Sequence, residues 1–533
     1  LKNGFREEPV FFLALYTRSP IMLEKPSTGF SMPKKAILLS GSALTLNDLI
    51  PLAEGAPFSL CEQALEKVNS ARVLVEKIAK KGKPCYGVNT GFGLLAKEAI
   101  PPSQQKKLQL NIIRSHAAGF GEPLSRQECR LAAILRLNVL LKGRTGSTPS
   151  LCQAFATLIQ RDVIPCIPSR GSVGASGDLA PLSHLALPLI GEGEAYYRGK
   201  IVPAGEALKK AGLKPVVLQE KEGLGLINGT QVMIAVGGMA AILAKSLAHV
   251  ASKIAALTFE GFEGNVEALH PFIHKERNQP GQISAAQAIL EELRGSYLMD
   301  KSIKHRFVQD PYSLRCAPQV HGASLDFLSF ALKVVERELS AATDNPLVFA
   351  EEERVLSGGN FHGEPLALAF DTAALAIAEI ANISERRLDL LLNPQMSGLN
   401  AFLAKNPGLE SGYMAAQYLA ASLVAENKVL AHPASVDSIP GNAGIEDHVS
   451  MGMTAALKLK NIVKNVKAVL AVELIAAAQA ADLRGISKKL GKGTSATYKR
   501  LRQKVPPLNE DRIVSLDINE SNCIIEEMTK EFV

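Results

Sequence analysis

Residues 446–484, EDHVSMGMTAALKLKNIVKNVKAVLAVELIAAAQAADLR, are rich in Ala and Leu and keep their polar residues largely to one side. A helical spacing sustained over such a length exceeds the usual globular helix, and a helix of that kind draws most of its stability from packing against others. Stretches 230–258, 321–342, 363–392 and 412–430 have the same character. Together they predict a mainly α chain, a bundle of long helices rather than alternating α/β layers. Gly, Pro and Asn collect in the breaks: Ile227-Asn228-Gly229, Gln309-Asp310-Pro311, Ser357-Gly358-Gly359-Asn360, Asn393-Pro394 and Ile439-Pro440-Gly441-Asn442. The polar clusters fall in the same breaks, so a site is expected where loops meet at helix ends. Helix N-termini gathered there would favour negative charge as it develops.

Upstream of the bundle, residues 36–39 read as a short strand and residues near 60–80 as a helix. A glycine-rich loop, Tyr86 to Gly93, follows, and helical spacing resumes near 105–118, 127–142 and 149–162. Regular pattern begins only after Met32-Pro33-Lys34-Lys35. The apolar run Val10 to Tyr16 is short for a signal peptide and is followed by no clean small-x-small site. The expected organisation is an upstream extension, 1–31, without order; a smaller N-terminal globular part, 32–145; a central helical bundle, 146–510; and a C-terminal tail, 511–533.

The chain has 533 residues, 47% apolar and 21% charged, the composition of a soluble globular protein. Lys245, Glu379 and Glu473 interrupt the longest apolar stretches, so no membrane span is expected. Seven Cys without CxxC or metal-ligand spacing read as reduced thiols in a cytoplasmic protein. Much of the net charge of +7 lies between Arg484 and Lys504, where Tyr498 is the lone aromatic. Without a ladder of aromatics to stack on bases, a solvated surface or a subunit contact is favoured over nucleic acid. No HExxH, P-loop or Gly-x-Ser-x-Gly elbow occurs, so neither a metal nor an external cofactor is expected.

One break carries chemistry of its own. In Gly171-Ser-Val-Gly-Ala-Ser-Gly-Asp-Leu-Ala-Pro-Leu-Ser-His184, the tripeptide Ala175-Ser176-Gly177 is flanked by small residues. If the backbone folds back tightly, the Gly177 amide nitrogen can attack the Ala175 carbonyl carbon. Loss of water from the ring and from the Ser176 side chain leaves a methylidene on a conjugated imidazolone. That is an electrophile none of the twenty side chains provides. Alone, Ala-Ser-Gly is an ordinary turn; the full run resembles the cofactor segment of the aromatic amino acid ammonia-lyases. That family builds 4-methylidene-imidazol-5-one (MIO) from this tripeptide.

Further motifs follow in family order, from about Ile37 to about Ile518. Tyr86-Gly-Val-Asn-Thr-Gly-Phe-Gly93 is similar to the loop that brings a tyrosine over the MIO group; its partial dinucleotide fingerprint lacks a third Gly. Ser115-His116 matches the pair found in the histidine-selective branch, where it helps choose the substrate ring. Asn228, locally a good helix N-cap, corresponds to a residue beside the MIO ring and the substrate amino group. Tyr312 and Arg315 in Gln309-Asp-Pro-Tyr-Ser-Leu-Arg315 share a face if helical. The resemblance implies that Arg315 anchors the carboxylate, with Gln309 also in the binding set, and that Tyr312 is a candidate to remove the β-proton. Phe361 corresponds to a residue packed near the ring. Glu446-Asp-His-Val-Ser resembles the histidine branch, with Glu446 facing the imidazole; its local role would be a solvated Glu in a first helical turn. Gly441-Asn-Ala-Gly-Ile445 departs from the Thr-Ser-Ala-Asn-Gln-like stretch common in bacterial members.

The resemblance implies elimination of ammonia from L-histidine to give trans-urocanate, the first step of histidine degradation, in a homotetramer with shared sites. Whether MIO meets the amine or the ring, and whether Tyr312 or Glu446 is the base, stays open. A tyrosine or phenylalanine lyase, or an aminomutase, would share the electrophile and differ mainly at His116 and Glu446. An inactive helical scaffold would keep an unmodified Ala-Ser-Gly, and the joint presence of Tyr86, Tyr312, Arg315 and Glu446 speaks against it.

Overall fold

The computed structural model describes residues 36–81 and 84–532. The expected disorder of residues 1–31 lies outside them. The described residues belong to one compact unit. At its start, Ile37–Leu39 pairs in parallel with Phe58–Leu60. Helix Arg126–Leu141 then runs through the interior, almost every residue buried. A Ser125–Glu128 capping box fixes where it begins. Two small sheets flank the tripeptide segment: Phe120–Pro123 with Pro168–Arg170, and Ile164–Pro165 with Glu194–Tyr197 and Lys200–Pro203.

The predicted bundle is present as Gln231–Phe262, Ala317–Glu338, Glu364–Leu392, Met414–Leu430 and Gly452–Leu483. Gly452–Leu483 is the spine. Its stretch Val469–Ala481 is buried on every side, which alanine permits by letting neighbouring backbones approach. One buried network sets the register of four helices. Glu473 accepts from Arg387 at 2.5 Å, Ser384 at 2.5 Å and Thr258 at 2.8 Å, and Arg387 reaches His321 at 3.2 Å. A charge buried so deeply is tolerable because it is paired and its remaining oxygen sites are filled.

Gln231–Phe262 and Glu364–Leu392 are long and apolar enough to cross a membrane, which corrects the sequence expectation that no stretch reaches that length. Their apolar windows are 78% and 72% buried inside the protein, so helix packing accounts for the composition. Gln231–Phe262 contains a π turn at Ile234–Gly238, where Gly237 lies so close to the Phe370 ring that a Cβ would fall 2.4 Å from it. Residues 514–529, in the stretch read as a tail, form a helix burying Ile518, Ile524, Ile525 and Met528. The arginines of the basic stretch are paired within the chain: Arg484 with Glu263 and Arg502 with Asp482, each at 2.6 Å, and Arg500 with Glu531 at 2.9 Å. All seven cysteines are free thiols.

Candidate active site

Ala175-Ser176-Gly177 sits at a tight turn just before helix Leu179–Ala186. Gly177 has φ +70°, and a Cβ there would fall 2.1 Å from the Gly229 carbonyl oxygen and 3.0 Å from that of Phe361. Only glycine fits both the left-handed backbone and the contact. The turn is held from below, where Asp178 N–H donates to Gly229 O at 2.6 Å and Ser172 Oγ donates to Gly177 O at 3.3 Å.

Ser176 opens into a cavity of about 820 Å³. Tyr86, His116, Asn228, Phe361 and Glu446 line it together with Ser176, so six residues singled out from sequence converge there. Ser176 Oγ donates to Glu446 Oε1 at 3.4 Å. Asn228 Nδ2 donates to the Ser176 carbonyl at 3.3 Å, while its Oδ1 is buried without a partner. A buried, orphaned acceptor is costly unless a ligand supplies the missing donor.

Two local readings are corrected. Asn228 is the C-cap of Glu222–Ile227, its N–H donating to Leu224 O, and Thr230 is the N-cap of the next helix. Glu446 lies in no helical turn, because Met451 has φ +55° and the helix starts only at Gly452. Glu446 instead closes a small loop, exchanging backbone hydrogen bonds with Gly441 at 2.8 and 3.4 Å. That loop includes Ile445, which is exposed and lines the cavity at the site of the sequence departure.

His116 ends helix Gln105–His116, and its Nδ1 lies 2.9 Å from Ile112 O. Ser115 Oγ also lies 3.0 Å from Nδ1 and donates to Ile112 O at 3.3 Å; in the neutral tautomer with its hydrogen on Nδ1, Nε2 faces a ligand as an acceptor. Tyr86 packs edge-on to Phe92, and its hydroxyl accepts from Gly93 N–H at 3.4 Å. Burial holds its phenol above the ordinary range, the Gly93 N–H pulls the other way, and the Glu446 and Asp344 carboxylates add to the rise. Tyr86 therefore keeps its proton near neutrality.

Gln309, Tyr312 and Arg315 do not line this cavity. Tyr312 is 69% exposed, and the Arg315 guanidinium lies 4.5 Å over its ring. The predicted shared face is real, in the short helix Tyr312–Arg315, with Arg315 Nε also donating to Asp310 O at 2.8 Å.

Three features were not legible. Asn442 fastens the glycine loop, with its Oδ1 3.5 Å from Leu94 N and its Nδ2 3.4 Å from Glu446. Asn345 lines the cavity and accepts from Ser357 Oγ and Gly358 N, steering the chain toward Phe361. It is anchored by Asp344, which forms a fully buried pair with Lys221 at 2.7 Å. Pairing over such sequence separations leaves no local signal.

Asp178, directly after the tripeptide, is the third. Its Oδ2 accepts from Met233 N–H at 2.8 Å and its Oδ1 has no partner. Burial pushes its carboxyl up to about 7, against the pull of the Met233 and Val232 N–H groups. With the folded-state value raised, its contribution to stability is complete below the unfolded aspartate range and is lost as pH rises through about 7. Asp178→Asn is expected to flatten the fall in Tm between about pH 5 and about pH 8. Parallel melting curves across that range check it; identical pH slopes for both proteins would refute it.

This helical bundle, with a glycine-held serine turn over a polar cavity, has the architecture of the aromatic amino acid lyases. The family model matches residues 44–503, and the chain belongs to that family of carbon–nitrogen lyases. It is 49% identical to the histidine ammonia-lyase of Stigmatella aurantiaca over 93% of this chain and 97% of that protein. The crystal structure of histidine ammonia-lyase from Trypanosoma cruzi superposes with a TM-score of 0.86 at 40% identity, covering 94% and 96% of the two chains. Tyrosine aminomutase from Streptomyces globisporus gives 0.88 at 35% identity, covering 93% and 98%. Backbone likeness therefore does not separate lyase from mutase; the cavity side chains must.

Proposed function

We propose that this chain eliminates ammonia from L-histidine to give trans-urocanate. The observation that carries the reading is the pair of acceptors, His116 and Glu446, in the cavity into which Ser176 opens. An imidazolium has two N–H donors, and the two acceptors match them. A phenol brings one donor and a phenyl ring none, which would leave acceptors unpaired out of water.

Ala175, Ser176 and Gly177 fit the MIO ring: the turn is tight, Gly177 admits no side chain, and Asn228 already donates to the Ser176 carbonyl that becomes the ring carbonyl. Once formed, that group supplies the electrophile and the electron sink. Asn228 Nδ2 then places a donor where negative charge collects, and its free Oδ1 suits the substrate ammonium. Glu446 balances charge on the imidazole as the β-proton becomes acidic, and Tyr86 holds a proton over the site. Arg315, with Gln309 and Tyr312, suits the substrate carboxylate through its two-pronged fork. Because these three lie off the cavity of their own chain, they are read as serving the site of a second copy, within a homotetramer. Both Tyr312 and Glu446 remain routes for the β-proton.

Near-ultraviolet absorbance and ammonia release, measured with L-histidine, L-tyrosine and L-phenylalanine in turn, test the reading. Urocanate from histidine alone is the expected result. Product from either other amino acid would overturn the ring assignment, and a β-amino acid would make the chain a mutase. His116→Leu is expected to lower kcat/KM for L-histidine about a hundredfold, since the site would lose a hydrogen bond to the ring. Steady-state kinetics check it, and an unchanged value would remove His116 from ring recognition.

A further inference from the structure

Outside the acceptors described above, one cluster of ligating side chains among the described residues is assembled from distant segments. His362 and Glu364 stand at the start of helix Glu364–Leu392, and His448 stands in the loop before Gly452–Leu483, 86 residues further along the chain from His362. One nitrogen of each imidazole and one Glu364 carboxylate oxygen all lie within 4.8 Å of one another. The two rings face each other at 5.7 Å with 29° between their planes. Glu364 Oε2 is buried and has no hydrogen-bond partner, so this carboxylate, one oxygen of which belongs to the cluster, carries an unsatisfied acceptor. The hydrogen bonds that His362 does make, with Glu364 N–H and with His448 O, are both at 3.3 Å, the long end of the range and readily given up.

We propose that His362, Glu364 and His448 form a binding site for a divalent transition cation of the zinc class. Two imidazoles and a carboxylate are a donor set that such cations accept, with a fourth position left for water. Ligand atoms around a tetrahedral cation with bonds of about 2.1 Å lie roughly 3.4 Å apart, so binding draws the three inward. His448 is exposed and free to make that movement.

The consequence is mechanical. Phe361 directly precedes His362, and Glu446 lies two residues before His448. A cation here would cross-link the two segments that carry these cavity residues, stiffening the wall that meets the substrate ring. The site was invisible to spacing arguments because its donors come from separate segments.

The test uses the full-length protein after treatment with chelator. Co²⁺ is titrated in, visible absorbance is followed, bound metal is counted, and Tm is measured with and without Zn²⁺. One Co²⁺ per chain, visible bands without a thiolate charge-transfer band, and a raised Tm with Zn²⁺ are expected. His448→Ala and Glu364→Gln should each weaken Co²⁺ at least about tenfold and cancel the rise in Tm. His448 is exposed and Gln keeps the shape of Glu, so both variants are expected to fold. No saturable binding, binding unchanged in both variants, or a thiolate band pointing to the free cysteines would each overturn the site. None of these readouts requires turnover, so they stand or fall separately from the proposed histidine chemistry.

Discussion

Ser176→Ala is expected to lower kcat for L-histidine by at least about a thousandfold, some 4 kcal/mol of barrier, while leaving the fold in place. The two halves of that expectation have separate grounds. The Ser176 side chain makes a single hydrogen bond, 3.4 Å to Glu446, so its removal costs the fold little. The turn itself is set by Gly177, by the Gly229 carbonyl and by Ser172, none of which changes. Alanine, however, has no hydroxyl to lose as water, so no methylidene can form. The near-ultraviolet absorbance of the conjugated ring should vanish with activity, while helical circular dichroism and Tm stay close to the parent. Turnover at the parental rate would eliminate the autocatalytic electrophile and, with it, the proposed use of Asn228.

What could be read from sequence divides along physical lines. The long helices were legible because their period repeats over many residues, and each is found within a few positions of its predicted span. Glu446 shows the limit of that method. Its run reads continuously into the helix, but Met451 takes a left-handed backbone and breaks it, a choice dictated by tertiary contacts such as Met451 N–H to Val173 O at 2.9 Å. Asn228 was misassigned for a related reason: Asn suits either end of a helix, and the break has a helix on both sides. At the site, six residues were legible through short motifs, each local in the chain. Asn345, Asn442 and the Lys221–Asp344 pair act across long separations, so no motif announces them. The apolar content of Gln231–Phe262 and Glu364–Leu392 was underestimated because Lys245 and Glu379 were read as interruptions, whereas each falls inside its helix's apolar window without lowering the mean hydropathy enough to break it.

The position of Arg315 leads to the second large effect. Arg315 lies off the Ser176 cavity, beside an exposed Tyr312, with its guanidinium over that ring. If it served only its own chain, its fork would have no carboxylate to hold within the cavity. If it serves a neighbouring copy, Arg315→Ala should lower kcat/KM at least about a hundredfold, because a two-pronged, charge-assisted contact worth roughly 3 kcal/mol is lost. The same logic makes the defect repairable. A chain carrying Ser176→Ala retains Arg315, and a chain carrying Arg315→Ala retains Ser176. Co-expressed with different affinity tags and purified through both, the two dead variants should form mixed assemblies in which some sites pair an intact serine turn with an intact arginine. Activity well above either variant alone is expected, with no activity gained when separately assembled proteins are merely mixed. Mixed assemblies as inactive as their parents would mean that each chain completes its own site, and would return Gln309, Tyr312 and Arg315 to the surface role that the exposure of Gln309 and Tyr312 suggests.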